Sequence, residues 1–218
     1  MPKIIWDNTG EKFFETGVSN GVLYPRATDG TYPKGVAWNG LTTVTESPSG
    51  AEPTALWADN IKYLNLISAE EYGATIEAYT YPDEFIPCDG SAELSEGVYV
   101  GQQNRQSFGM AYKSLVGNDV EGTNLGFKLH IIYNAIASPS EKPYATVNDT
   151  PEAITFSWEI STTPVAVEGM KPTASIVIDS RKADSAKLVL LEAALFGSES
   201  EEAHLPSPAE IAAIFADG

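Results

Sequence analysis

The chain has 218 residues, 43% of them hydrophobic, which suits one large domain, or one domain with a small appendage, built on a real core. Thirteen Lys and Arg stand against 30 Asp and Glu, a formal net charge of -17 that disfavours nucleic-acid binding, because phosphate affinity comes from basic side chains displacing counterions. Cys88 is the sole cysteine, which excludes an intrachain disulfide and a thiolate zinc site within one chain and reads as inert packing.

The stretch Met1 to Asp7 lacks the apolar region of a signal peptide. No apolar run approaches the roughly 20 residues of a membrane span. The expectation is a protein made in the cytoplasm, with no membrane partner. Asn148-Asp149-Thr150 fits a glycosylation sequon and is read as a chance match.

In chain order, the first thirty residues read as an arm. Gly10, Gly17, Gly21 and Gly30 punctuate short β-prone pieces such as Lys12 to Glu15 and Val22 to Tyr24. Val36 to Val44 predicts a strand, followed by the turn-rich loop Glu46 to Pro53. Thr54 to Trp57 and Ile61 to Ile67 resume strand character around an Asp59-Asn60 break. Together they suggest a long hairpin with a protruding tip at about residues 45–54.

Gly73 to Tyr81 alternates, with Ala74, Ile76 and Ala78 on one face and Thr75, Glu77 and Tyr79 on the other. Pro82 to Phe85 starts a short helical turn, and Cys88-Asp89-Gly90 is a turn signal. Ser107 to Val116 and Phe127 to Ile136 are further strands around the loop Gly117 to Gly122; Phe127, Leu129, Ile131 and Tyr133 share a face. Ser138 to Pro151 is a loop. Ile154 to Ser161 alternates most strictly: Ile154, Phe156, Trp158 and Ile160 form a dry face against Thr155, Ser157, Glu159 and Ser161. This strand continues to Val165, and Thr173 to Ile178 is another.

The C-terminal part is helical. Leu188, Val189, Leu191 and Leu195 fall at helical spacing between Asp184 and Phe196, with Gly197 as the stop. An acidic linker, Ser198 to Glu202, leads to Ser207-Pro208-Ala209-Glu210, a capping box before the stripe Ile211, Ile214 and Phe215. The fold class is therefore mainly β (α+β), an antiparallel β-sandwich or barrel with flanking helices. Residues 1–180 form the β domain and 181–218 a helical segment of the same domain.

Chemistry is sparse. The two histidines, His130 and His204, lie mid-strand on the face of Lys128 and in the acidic linker. Nucleotide-binding, zinc-protease and nucleophile-elbow motifs are missing, and the acidic loops Asp7 to Glu11 and Asp119 to Glu121 do not match calcium-loop spacing. A Ser-His-Asp arrangement around His130 is weighed and set aside. Glu77 and Glu159 are the best-placed pair for a two-carboxylate glycosidase, but read as solvated strand positions. Trp6, Trp38, Trp57 and Trp158 suggest a sugar-stacking platform, against which Trp158 reads as core. No catalytic residue, cofactor or metal is assigned.

Several stretches in order resemble the major tail protein (tail tube protein) of long non-contractile-tailed bacteriophages. They run from Trp6-Asp7, Gly10 and Phe13-Phe14-Glu15-Thr16-Gly17-Val18 through Gly21-Val22-Leu23-Tyr24-Pro25 to Gly35-Val36-Ala37-Trp38-Asn39-Gly40-Leu41. Ala58-Asp59-Asn60, Lys62-Tyr63, Cys88-Asp89-Gly90-Ser91 and Gly101-Gln102-Gln103 with Arg105 and Phe108-Gly109 continue the series. Val116-Gly117-Asn118-Asp119, Ser161-Thr162-Thr163-Pro164-Val165 and Leu205-Pro206 with Pro208, Glu210 and Ile211 complete it. The resemblance implies a β-sandwich or half-barrel subunit that forms hexameric rings stacked into a hollow tube, a conduit for DNA. It also implies a virion location, a tape-measure protein in the lumen during assembly, and tail terminator and distal tail proteins at the ends.

Physical reasoning fits that expectation. An incomplete barrel exposes edges that recruit other strands, and ring closure with an open axial contact gives a filament. An acidic lumen repels a passing duplex, and Glu77 and Glu159 are the expected lumen residues. Glu46, Ser47, Pro48, Ser49, Gly50 and Glu52 of the loop, with Phe13 and Phe14 of the arm, are the expected inter-ring contacts. The alternatives are a tail adhesin or receptor-binding β-sandwich, a glycan-cleaving enzyme, and a related terminator or distal ring protein.

Overall fold

The computed structural model describes residues 3–147, 149–150 and 152–216; Asn148 of the sequon match lies outside them. Strands in chain order are β1 Phe14–Pro25, β2 Val36–Ala37, β3 Leu41–Glu46, β4 Ser49–Gly50, β5 Pro53–Ala58, β6 Ile61–Ile67 and β7 Glu70–Glu71. Then come β8 Gly73–Ala78, a 3-10 turn Asp83–Phe85, β9 Ala92–Ser95, β10 Val98–Val100, β11 Phe108–Asn118, β12 Gly122–Ala137, β13 Phe156–Thr162 and β14 Ser175–Asp179. Two helices, α1 Ser185–Phe196 and α2 Pro208–Phe215, follow. The fold is mainly β and antiparallel, with both helices at the C-terminal end, as expected.

The main sheet runs β2-β1-β11-β12-β13-β8-β3, with β14 also paired to β12. β12 shapes it. Its first part pairs with β14, from Lys128 opposite Asp179 to Ile132 opposite Ser175. Its last part pairs with β13, from Ala135 opposite Thr162 to Ala137 opposite Ile160. Asn134 between them has φ 47, a left-handed residue that bends the strand. The β13-β8-β3 layer then curls back towards β1, where the Trp38 amide donates to Gly21 O at 2.8 Å. A Cβ on Gly21 would stand 3.0 Å from Leu41, so glycine permits that approach.

The curled sheet encloses a first core of Leu23, Trp38, Ile76, Phe85, Cys88, Phe108, Met110, Ile132, Trp158 and Ile160. The opposite face of β1, β11 and β12 carries Val22, Tyr24, Ala111, Leu129, Ile131 and Tyr133, which pack under Leu188, Leu191, Leu195 and Ile211 of the helices. Burying each such large side chain is worth about 1.5–3 kcal/mol before entropy is counted. Tyr24 and Tyr133 hydroxyls donate to Leu195 O and Pro206 O at 2.6 and 2.8 Å, fastening the helical segment to the sheet. Asp184 caps α1 through the Ala186 and Lys187 amides, Gly197 ends it with φ 80, and Ser207 and Glu210 form the expected capping box on α2.

Four expectations shift. The arm divides at Phe14: β1 lies inside the main sheet, paired with β11 from Phe14 opposite Gly117 to Pro25 opposite Phe108. Its glycines supply bulges instead of interrupting the strand. Val36 to Val44 is two strands, β2 and β3, parted by a turn at Asn39-Gly40, where Gly40 has φ 74. The strand from Ile154 ends at Thr162, before Pro164, and Val165 instead bridges Thr173. Finally, Val189 points outward from α1, which is apolar on more than its packed face.

Candidate assembly surface and polar clusters

β3 to β8 form one long hairpin: β3 pairs with β8, β4 with β7 and β5 with β6. Its tip is Asp59-Asn60, with φ 49 and 63, the left-handed pair that a tight two-residue hairpin turn demands and that Asp and Asn tolerate. The expected tip at about residues 45–54 is therefore corrected. Ser47, Pro48, Ser49, Gly50 and Glu52 are exposed but lie along the ascending limb. Gly50 (φ 80) and Ala51 (φ 54) kink that limb, and a Cβ on Gly50 would meet Ala69 O at 2.5 Å.

The outer hairpin has no core. Leu56, Leu64 and Leu66 share one face by register, and Trp57 and Ile67 take the other. All are exposed, as are Ile61 and Tyr63; Trp57 is 69% and Tyr63 68% exposed. A two-stranded hairpin alone is marginal in water, and an apolar patch of this extent marks a contact surface. Near it in kind is the N-terminal stretch, where Ile4, Ile5, Trp6, Phe13 and Phe14 are exposed. That stretch is tethered: the Gly10 amide donates to Asp119 at 3.0 Å, Asn118 donates to Gly10 O at 3.0 Å, and Arg181 sits 5.3 Å from the Phe13 ring. Of the four tryptophans, Trp38 and Trp158 are core, whereas Trp6 and Trp57 are surface residues.

Glu77 and Glu159 lie on adjacent strands, Glu77 opposite Ser157 and Thr75 opposite Glu159. Strand alternation places them with Thr43, Thr45 and Ser161 on the face turned away from Trp158 and Ile76, a hydroxyl-rich face with two carboxylates and no basic side chain of β3, β8 or β13.

Glu46 behaves differently from its neighbours. It pairs with Ala74 and turns towards the inner face. There it accepts from the Tyr112 hydroxyl at 2.9 Å and stands 3.5 Å from His130 Nδ1. His130 Nε2 is 2.8 Å from Ser114 Oγ, and its ring stacks on Tyr112 with centroids 4.5 Å apart. The His130 ring beside it, with the Tyr112 hydroxyl, holds the Glu46 carboxyl below its usual range against the opposing effect of burial. Burial pushes the Tyr112 and Tyr72 hydroxyls far up, so both stay neutral. The sequence did not join Ser114 and Glu46 to His130; Ser114 and His130 reach each other only because the antiparallel register sets Tyr112 opposite His130. Ser114, His130 and Glu46 fall in the order of a nucleophile relay, but His130 Nδ1 makes no hydrogen bond to Glu46 at 3.5 Å. β11 is paired on both sides of this cluster: Ser114 stands opposite Lys128 of β12, and a bulge in β1 lies across from it, between the Leu115 and Lys113 pairs. The cluster ties the end of β3 to β11 and β12, through Glu46 to Tyr112 and His130.

Cys88 is fully buried and its thiol is pushed up to about 12, by burial first and then by Asp89, which keeps it protonated and inert.

No protein-family model matches the chain, and no curated protein matches it. Among solved structures it is similar to a chain of the anti-feeding prophage (AFP) baseplate, 6-fold symmetrised, seen by cryo-EM. The TM-score is 0.38 at 6% identity, over 80% of this chain and 97% of that one, a likeness too distant to carry a conclusion about fold or role.

Proposed function

We propose that this chain is a structural subunit of a phage tail that assembles with itself, as stacked six-membered rings, into the tail tube through which DNA leaves the virion. The observation that carries the reading is the outer hairpin, Pro53 to Ile67, whose apolar side chains are exposed on both faces and join neither hydrophobic core of the described residues. Burial of such a surface by a neighbour drives association. The hairpin is the axial contact in this reading, joined by Phe13 and Phe14, with Ser47 to Glu52 along its limb. The Glu77 and Glu159 face lines the bore, where carboxylates and hydroxyls give phosphates nothing to hold. The partners are identical copies, a tape-measure protein within, and terminator and distal proteins at the ends.

Sedimentation velocity over a range of protein concentrations tests the proposal. Growth beyond a closed ring above a threshold concentration supports it. A closed trimer that never grows points to the adhesin alternative.

A further inference from the structure

A second constellation lies away from the hairpin. Asp89 is buried, its side chain 7% exposed, and three donors converge on it. Trp158 Nε1 donates to Oδ1 at 3.1 Å, the Lys142 ammonium pairs with Oδ2, and Arg105 Nη1 stands 3.7 Å from Oδ1. Two cations thus share one carboxylate. The other Lys and Arg ion pairs among the described residues are one to one: Lys34 with Glu84, Lys113 with Glu192, Lys128 with Glu15 and Arg181 with Asp179.

Arg105 is the less engaged cation. Its hydrogen bond is a long one, 3.5 Å to Cys88 O, although a guanidinium carries five donors. The side chain rests over Gly90 (φ +79), where a Cβ would stand 3.2 Å from Nε. Arg105 and Lys142 keep 23% and 28% of their side-chain surface exposed and line a cleft of about 530 Å³ together with Gly90 and Gly101. The two ends of the β9–β10 hairpin, Ser91 and Gly101, line that cleft, and the hairpin itself carries exposed Leu94 and Tyr99. A cleft lined by two cations, next to a hairpin that exposes apolar side chains, suits a polypeptide better than a free ion.

Resting on the self-assembly reading, we infer that this cleft receives a carboxylate side chain from a second copy of this chain. Copies of net charge -17 repel one another, and a carboxylate brought to a contact is favoured where it meets a cation that its own chain has not fully neutralised. The Arg105–Lys142 cleft holds one cation more than its own carboxylate neutralises. A guanidinium fork takes a carboxylate through two parallel hydrogen bonds.

The test compares full-length wild type, Arg105→Gln and Ser91→Glu by sedimentation velocity, with thermal melts of each. Ser91→Glu places a carboxylate of the same chain at the cleft and removes none of Asp89, Arg105 and Lys142, so it carries the test if Arg105→Gln does not fold. The expected result is a rise of about tenfold or more in the concentration needed for assembly in either variant, with unchanged melting. Citrate, added as a competing carboxylate, then raises the wild-type threshold and not that of the variants. Variants that assemble at the wild-type threshold overturn the inference and leave the self-assembly reading intact, even if citrate binds the cleft. A wild type that stays monomeric at every concentration overturns both.

Discussion

Replacing Trp57 with Ser separates an assembly surface from a folding surface. Trp57 is 69% exposed in the single chain, and a tryptophan side chain offers on the order of 200–250 Å², so a neighbour that covers it removes about 150 Å² from water. At about 25 cal/mol per Å², less the cost of ordering the hairpin, each contact loses about 2–4 kcal/mol on substitution. That is a fall of about 30- to 700-fold in the association constant. The monomer has little to lose, because an exposed substitution changes stability by about 0.5 kcal/mol or less, about 2 °C or less in Tm. Sedimentation velocity measures the first quantity and a thermal melt by circular dichroism the second. Unchanged assembly together with a Tm lowered by many degrees would refute the reasoning, because Trp57 would then be packed within its own chain.

Asp89→Ala strands the Lys142 ammonium and Trp158 Nε1 beside the core, and urea unfolding should show a loss of about 3–5 kcal/mol; a loss under about 1 kcal/mol would mean that water already satisfies the cluster. Asp179 is held at about 2, first by the hydrogen bond from Arg181. A folded-state pKa below the unfolded value gives stability that is present above the usual carboxylate range and lost as pH falls through about 2. Asp179→Asn should therefore flatten the stability profile between about pH 4 and 2, and an unchanged profile would remove the pair from the acid response. Gly117→Ala would place a Cβ 2.1 Å from Gly122 O and 2.6 Å from Phe14, at the turn between β11 and β12. The expected cost is about 2 kcal/mol or more by chemical denaturation, and a neutral substitution would show that this turn yields freely.

Alternation made the half-buried strands legible. Trp158 and Ile160 went to the core while Ser157 and Glu159 stayed outside, and Ala74, Ile76 and Ala78 were buried as their period required. The helices were legible from caps and spacing: Asp184, Gly197, Ser207 and Glu210 mark their ends as read. The hairpin tip was misplaced because Pro48, Ser49 and Gly50 are stronger turn signals than Asp59-Asn60. Left-handed backbone at two adjacent non-glycine residues is a property of the fold that composition does not announce. β1 reads as part of an arm in the sequence because its pairing with β11 is set by partners about ninety residues away. The polar clusters were least legible of all. Asp89 read as a turn residue, yet it meets Lys142 and Trp158 across 53 and 69 positions of sequence. Glu46 reads as a surface residue and stays partly exposed, but only the register of β3 on β8 brings it to Tyr112 and His130.

Negative-stain electron microscopy of the purified protein at high concentration addresses the central claim most directly. The account predicts straight hollow filaments, or six-fold rings that stack, and their loss in Trp57→Ser. Single particles or closed trimers at every concentration and salt would contradict it.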